Sequence, residues 1–169
     1  MSLTPEALLQ LDALLATIPD AAWGTWKAGI LAQVDQHNPA RGWAQALDLF
    51  NEARAYRHLA KIGCDDIAFC PRDYLFASPD LRAKHQQTPI RCEVKTLHLG
   101  RDASLTPALL RKLRSRLDDG LRQLRTDNES GRRLLYLVLA GSGDIAAISA
   151  WFTAAAPSDL EIVIDPLES

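Results

Sequence analysis

The sequence predicts an α/β fold with a mixed central sheet, and three observations carry that prediction. Two long segments repeat apolar residues at helical spacing, Trp43 to Ile62 and Thr106 to about Arg125. A strongly apolar run, Leu134-Leu135-Tyr136-Leu137-Val138-Leu139, reads as a strand buried on both faces. Between the helical segments, two strand-length runs flank Gln86-Gln87 and read as a hairpin.

Taken in order, Thr4-Pro5 opens a first helix whose Leu8, Leu11, Leu15 and Ile18 form a stripe. Trp23, Trp26, Ile30 and Val34 form a second stripe that ends before Asn38-Pro39. Residues 1–40 are therefore expected to be a helical extension packed on a core of residues 41–169, the whole forming a single domain. An arm for DNA or for oligomerisation is the competing use of the extension. The Trp43 helix carries Leu49, Ala53, Tyr56 and Ala60 on one stripe, has Glu52 at its edge and stops at Gly63. Trp43 itself is expected to join the helical packing. Ile67-Ala68-Phe69 and Tyr74-Leu75-Phe76 give early strand segments, followed by the hairpin.

The next helix starts at Thr106-Pro107, where proline lacks an N–H that the first turn would leave unbonded anyway. Its buried stripe is Leu110, Leu113, Leu117, Leu121 and Leu124. After the Leu134 strand, Gly141-Ser142-Gly143 is a turn, since it lacks the Gly-Lys-Ser/Thr ending of a phosphate loop. A short helix from about Ile145 to Ala155 ends before Pro157, and Leu160, Ile162 and Ile164 alternate in a last strand. The order is helices, three strands, helix, strand, helix, strand, with no internal repeat or long linker.

Composition narrows the class. With 169 residues, 47% of them hydrophobic, the chain is long enough to bury a substantial core. No apolar run approaches the roughly 20 residues that span a bilayer. The three cysteines, Cys64, Cys70 and Cys92, form neither an even set nor a zinc-like pair, and the first residues lack a signal-peptide pattern. These features lead to the expectation of a reducing cytoplasm, with no cysteine nucleophile. A net charge of −2 argues against broad coating of nucleic acid but leaves room for a local basic cluster. Candidate phosphate contacts are Arg82, Lys84, Arg91, Lys112, Arg116, Arg132 and Arg133; read singly, each is as well explained as a scattered surface charge.

The hairpin holds the chemistry. Pairing centred on Gln86-Gln87 sets residues opposite when their numbers sum to 173, so Asp80 faces Glu93. Directly opposed side chains have Cβ atoms roughly 4.5–5.5 Å apart, close enough for two carboxylates to share a cation. Because side chains alternate, Lys95 follows Glu93 on that face, whereas Cys92 and Val94 point to the other. Two acids this close repel, and one is driven toward protonation unless a cation sits between them. The bland reading is a solvated strand face with a salt bridge.

Pro79-Asp80, twelve intervening residues and then Glu93-Val94-Lys95 resemble the PD-(D/E)xK nuclease superfamily. The resemblance covers roughly Trp43 to Leu139 and implies a restriction endonuclease-like αβββαβ core, here with an N-terminal helical extension and a C-terminal helix-strand addition. It also implies a Mg2+- or Mn2+-dependent nuclease acting on nucleic acid, DNA first. Asp80, Glu93 and the Val94 carbonyl would be metal ligands, Lys95 would be catalytic, and Glu52 would be the metal-assisting acid of the preceding helix. Gln123 matches a glutamine that resolvase-like members carry on the following helix. Paired strand cuts would require a homodimer or a partner protein. The alternative is a nuclease fold that has lost turnover and binds nucleic acid or serves assembly.

Overall fold

The computed structural model describes residues 5–34, 39–71, 78–100, 105–125, 130–141 and 143–167. Its elements are α1 (Pro5–Leu15), α2 (Asp20–Val34), α3 (Pro39–Lys61), β1 (Asp65–Phe69), β2 (Leu81–His85), β3 (Thr88–His98), α4 (Pro107–Leu124), β4 (Arg132–Ala140), α5 (Ile145–Ala155) and β5 (Leu160–Pro166). This is the element order expected from the sequence. Tyr74-Leu75-Phe76, Asn38, Ser142 and the Trp43 side chain lie outside the described residues.

The five strands form one mixed sheet in the order β1-β2-β3-β4-β5. β1, β2 and β3 run antiparallel, and β3, β4 and β5 run parallel. From Leu81↔Cys92 to His85↔Thr88, every β2–β3 pair sums to 173. The turn holds this register with Gln86 at φ 49° and Gln87 at φ 67°, the two positive values of a tight primed hairpin turn, here without glycine. β4 is buried on both faces because helices cover both. Cys92, Leu134, Tyr136 and Val138 pack with α1, α2 and α3, whereas Leu97, Leu135, Leu137 and Leu139 pack with α4 and α5.

Several local expectations need correction. α3 starts at Pro39, four residues before Trp43, since a proline that ends one helix can also open the next. Ala60 is exposed, and Ala55 and Leu59 are buried in its stead, because the burial stripe drifts around a straight helix. Glu52, at the edge of the expected stripe, is buried. α1 ends at Leu15, so Ile18 is buried from the following turn, alongside Leu14. The α3 terminus is as expected: Gly63 takes φ 80° while Cys64 N–H donates to Leu59 O and Gly63 N–H to Ala60 O, a Schellman stop. Thr106 caps α4 by accepting from Leu109 N–H.

β5 is tied to α3 by a polar knot. Arg54 donates to both oxygens of Asp165 at 2.7 Å, and the Tyr136 hydroxyl donates to Asp165 Oδ2 at 2.5 Å. Burial pushes the Asp165 carboxyl up, but the bonds from Arg54 and Tyr136 outweigh it and hold the group below its ordinary value. Asp165→Ala strands a partly buried guanidinium and a hydroxyl, so urea denaturation at neutral pH is expected to show a loss of about 2–3 kcal/mol. A depressed folded-state pKa contributes stability above the unfolded pKa and loses it as pH falls through the folded one. The gap between wild type and variant should therefore close below about pH 4.

Candidate active site

Asp80 sits at the bend that leads into β2, and its position is fixed from two sides. Its Oδ2 accepts from Val94 N–H at 2.9 Å, and its backbone oxygen accepts from Cys70 N–H at 2.9 Å. Continuing the register by one pair places it across from Glu93. The Asp80 carboxyl lies within hydrogen-bonding reach of Glu93.

Glu93 points to the α4 face and is only 1% exposed. Lys95, two residues on and on the same face, donates from Nζ to Glu93 Oε1 at 2.5 Å. Burial first, and then the charge of Asp80, push the Glu93 carboxyl up to about 9, against the opposing pull of Lys95.

Gln123 reaches the same carboxyl from α4. Turned with its nitrogen inward, it donates to Glu93 Oε1 at 2.5 Å and Oε2 at 2.9 Å. Turned the other way, its oxygen can accept from a protonated Glu93, so one amide serves either charge state. Gly120, one turn earlier, allows this approach: a Cβ there would meet Leu135 Cδ1 at 2.7 Å, and Leu135 stands beside Glu93 in the parallel ladder.

Glu52 comes from α3, on the face to which Cys92 and Val94 turn. Asn51 anchors that stretch by donating to Thr96 Oγ1 at 2.8 Å. Glu52, 6% exposed, lines a cleft of about 480 Å³ together with Trp26, Leu49, Phe69 and Cys70. Burial, together with the charges of Asp80, Glu52 and Glu93, pushes the Cys70 thiol up to about 11; Cys92 is pushed up by burial and the same three acids. Both thiols are thus held protonated and poor as nucleophiles.

The expected acids come together as a pair with a third approaching from the other face of the sheet. Among the described residues, no group of three or more His, Cys, Asp or Glu is arranged to hold a metal ion. The physical reason is strand alternation: Glu93 points toward α4, whereas Glu52 comes from α3 and lines the cleft beside Cys70. Chemically the pair still suits a hard divalent cation, since two carboxylates meet in a buried site where one of them resists ionising without added positive charge.

The expected phosphate contacts divide. Lys112 donates to the His98 carbonyl at 2.6 Å, at the far end of β3, and Arg116 follows one turn along α4. Arg82 and Lys84 lie on β2 beyond Asp80. Arg132 is bound to Glu161 on the opposite face, near His85.

The fold and site define the class as an α/β protein with a mixed five-stranded sheet, helices on both faces and an acid-acid-lysine constellation on the central hairpin. No family model matches the sequence, and no curated protein matches it. Among solved structures, it is similar to SfsA of Pyrococcus furiosus in complex with Ca2+, at 13% identity and a TM-score of 0.33, covering 73% of this chain. The match spans 56% of that protein's chain. Among the described residues, no helix is long and apolar enough to cross a membrane.

Proposed function

We propose that this protein is a divalent-metal-dependent phosphodiesterase that hydrolyses nucleic acid, with DNA as the first substrate to test. The observation that carries the proposal is the meeting of Asp80, Glu93 and Lys95 on one sheet face, with Glu93 fully buried and resistant to ionisation. Asp80, Glu93 and the Val94 carbonyl would hold magnesium or manganese. When bound, such an ion neutralises charge on a phosphodiester and lowers the pKa of water.

The chain's own groups do the rest. Lys95 orients the attacking water and steadies charge on the phosphate oxygens. Gln123 holds the Glu93 carboxyl in place. Glu52 contributes negative charge from the α3 side, through water or toward a second cation. The whole chain acts as one domain in the cytoplasm, and each centre nicks one strand, so paired cuts would need a dimer or a partner.

The alternative is a nuclease-like fold that binds nucleic acid without turnover. That no group of three such metal-ligating side chains is gathered among the described residues favours it. Cleavage of labelled linear duplex, supercoiled plasmid, single-stranded and four-way-junction DNA, and RNA, with Mg2+ or Mn2+, separates the two. The expected result is metal-dependent cutting that Asp80→Ala abolishes. Folded protein that is protected from heat by Mg2+ but cuts nothing supports the alternative, and undiminished cutting by Asp80→Ala overturns the site.

A further inference from the structure

A second row of side chains crosses the sheet one step from the acids. Arg82 stands directly opposite Arg91 in the antiparallel ladder, and Arg91 stands beside Arg133 in the parallel one. Arg82 lies two residues from Asp80, and Arg91 two from Glu93. The three arginines thus share the acids' face, displaced along the strands by roughly 6.6 Å. That displacement is comparable to the step between neighbouring phosphates on one nucleic-acid strand.

Arginine keeps its charge at working pH, and its planar fork suits phosphate oxygens. Arg91 is held at 8% exposure within this row. At the far end, Arg133 is bound to Asp159. Beside Arg82, Lys84 carries the positive charge toward the turn, its Nζ 2.8 Å from Asp66 Oδ2. Arg82, Lys84, Arg91, Pro89 and Ser130 line an open depression of about 470 Å³, and among the described residues Asp66 is the one acid on its wall.

We propose that this row is a shelf for a backbone phosphate, the neighbour of the one presented to Asp80 and Glu93. The strand would run from the acids along β2 and β3 toward the hairpin turn. The guanidinium groups of Arg82 and Arg91 take the phosphate oxygens in paired hydrogen bonds, which their planar geometry suits. The contact reads backbone rather than base. The placement of the scissile phosphate rests on the nuclease reading, whereas the shelf's affinity for phosphate does not.

Fluorescence anisotropy with a short fluorescein-labelled single-stranded DNA, and with its duplex, tests the shelf in EDTA, where no cleavage occurs. Arg82→Gln and Lys84→Gln are each expected to weaken binding about tenfold. Each should also lower the slope of log affinity against log salt by about 0.7 for the single strand and about 0.9 for the duplex. Arg91→Gln should do at least as much. Because Arg91 is buried, Arg91→Lys is measured beside it and should keep the slope while losing affinity. Arg122→Gln, on an exposed α4 side chain already paired with Asp119, controls for net charge and should change neither quantity. Wild-type affinity and slope in Arg82→Gln and Lys84→Gln would overturn the shelf even if the protein cuts DNA. A lowered slope in a protein that cuts nothing would keep the shelf and remove the nuclease reading.

Discussion

Stripped of divalent metal, the wild-type protein is expected to lose thermal stability steadily between about pH 5 and pH 9, and Glu93→Gln to remove most of that loss. The sign follows from where the proton resides. Burial and the Asp80 charge push the folded-state Glu93 carboxyl up to about 9, from 4.5 for an ordinary glutamate. The unfolded chain releases this proton at the lower value, so the stabilisation is complete below it and disappears as pH rises through the folded value. At 1.36 kcal/mol per unit, the effect is of the order of a few kcal/mol, or on the order of 10 °C in a chain of this size. Glutamine is close in shape to the protonated acid and stays neutral, so its melting temperature should be nearly flat over the window and above wild type at the alkaline end. Mg2+ should protect wild type most at alkaline pH, where the ionised pair is the ligand, and protect Glu93→Gln little. A flat wild-type profile, or a variant that follows the wild-type fall, would remove the burial of charge as the organising feature of the site. The Asp165 effect acts in the opposite direction and below about pH 4, so the two windows do not overlap.

The hairpin was legible in the sequence because its register depends on local signals alone. A two-residue turn and alternating side chains are enough to place Asp80 opposite Glu93 and Lys95 beside it, and Arg82↔Arg91 in the structure obeys the same sum of 173. The third member of that row, Arg133, was not legible, because a parallel partner is set by packing across a crossover helix. The Arg54–Asp165–Tyr136 knot was hidden for a similar reason: Arg54 and Asp165 lie far apart in sequence and meet only when β5 docks beside β4. Glu52 was placed at the edge of its stripe, but its burial was not legible, since helical spacing reports the direction of a side chain and not what a neighbouring helix lays over it. The signal that α2 covers it was present in the Trp23–Trp26 stripe, and Trp26 Nε1 donates to Leu49 O at 3.0 Å to lock the two helices. Gln123 could be placed only on the correct helix by spacing; its contact with Glu93 depends on the close approach at Gly120.

Lys95→Met is expected to lower the cleavage rate by roughly 10²–10³-fold, the size of effect produced by deleting one donor to a charged transition state. Methionine keeps the length and much of the volume of the lysine stem but has no charge and no N–H. Substrate affinity should change little, because Arg82, Lys84 and Arg91 remain on the neighbouring row. The loss should therefore fall on kcat with KM nearly intact, the pattern of an interaction made only in the transition state. Lys95→Arg should not restore the rate. Lys95 is held at 14% exposure with Nζ 2.5 Å from Glu93, and a planar fork cannot occupy a position built for a compact ammonium. Lys95 also draws Glu93 toward ionisation, so its removal should weaken metal binding at neutral pH. Rates measured across a magnesium series distinguish the two roles. A deficit that persists at saturating metal assigns Lys95 to the reaction itself, whereas one that excess metal repairs assigns it to keeping Glu93 charged. An unaltered rate in folded Lys95→Met protein would remove lysine from the mechanism and leave the acid pair to act alone.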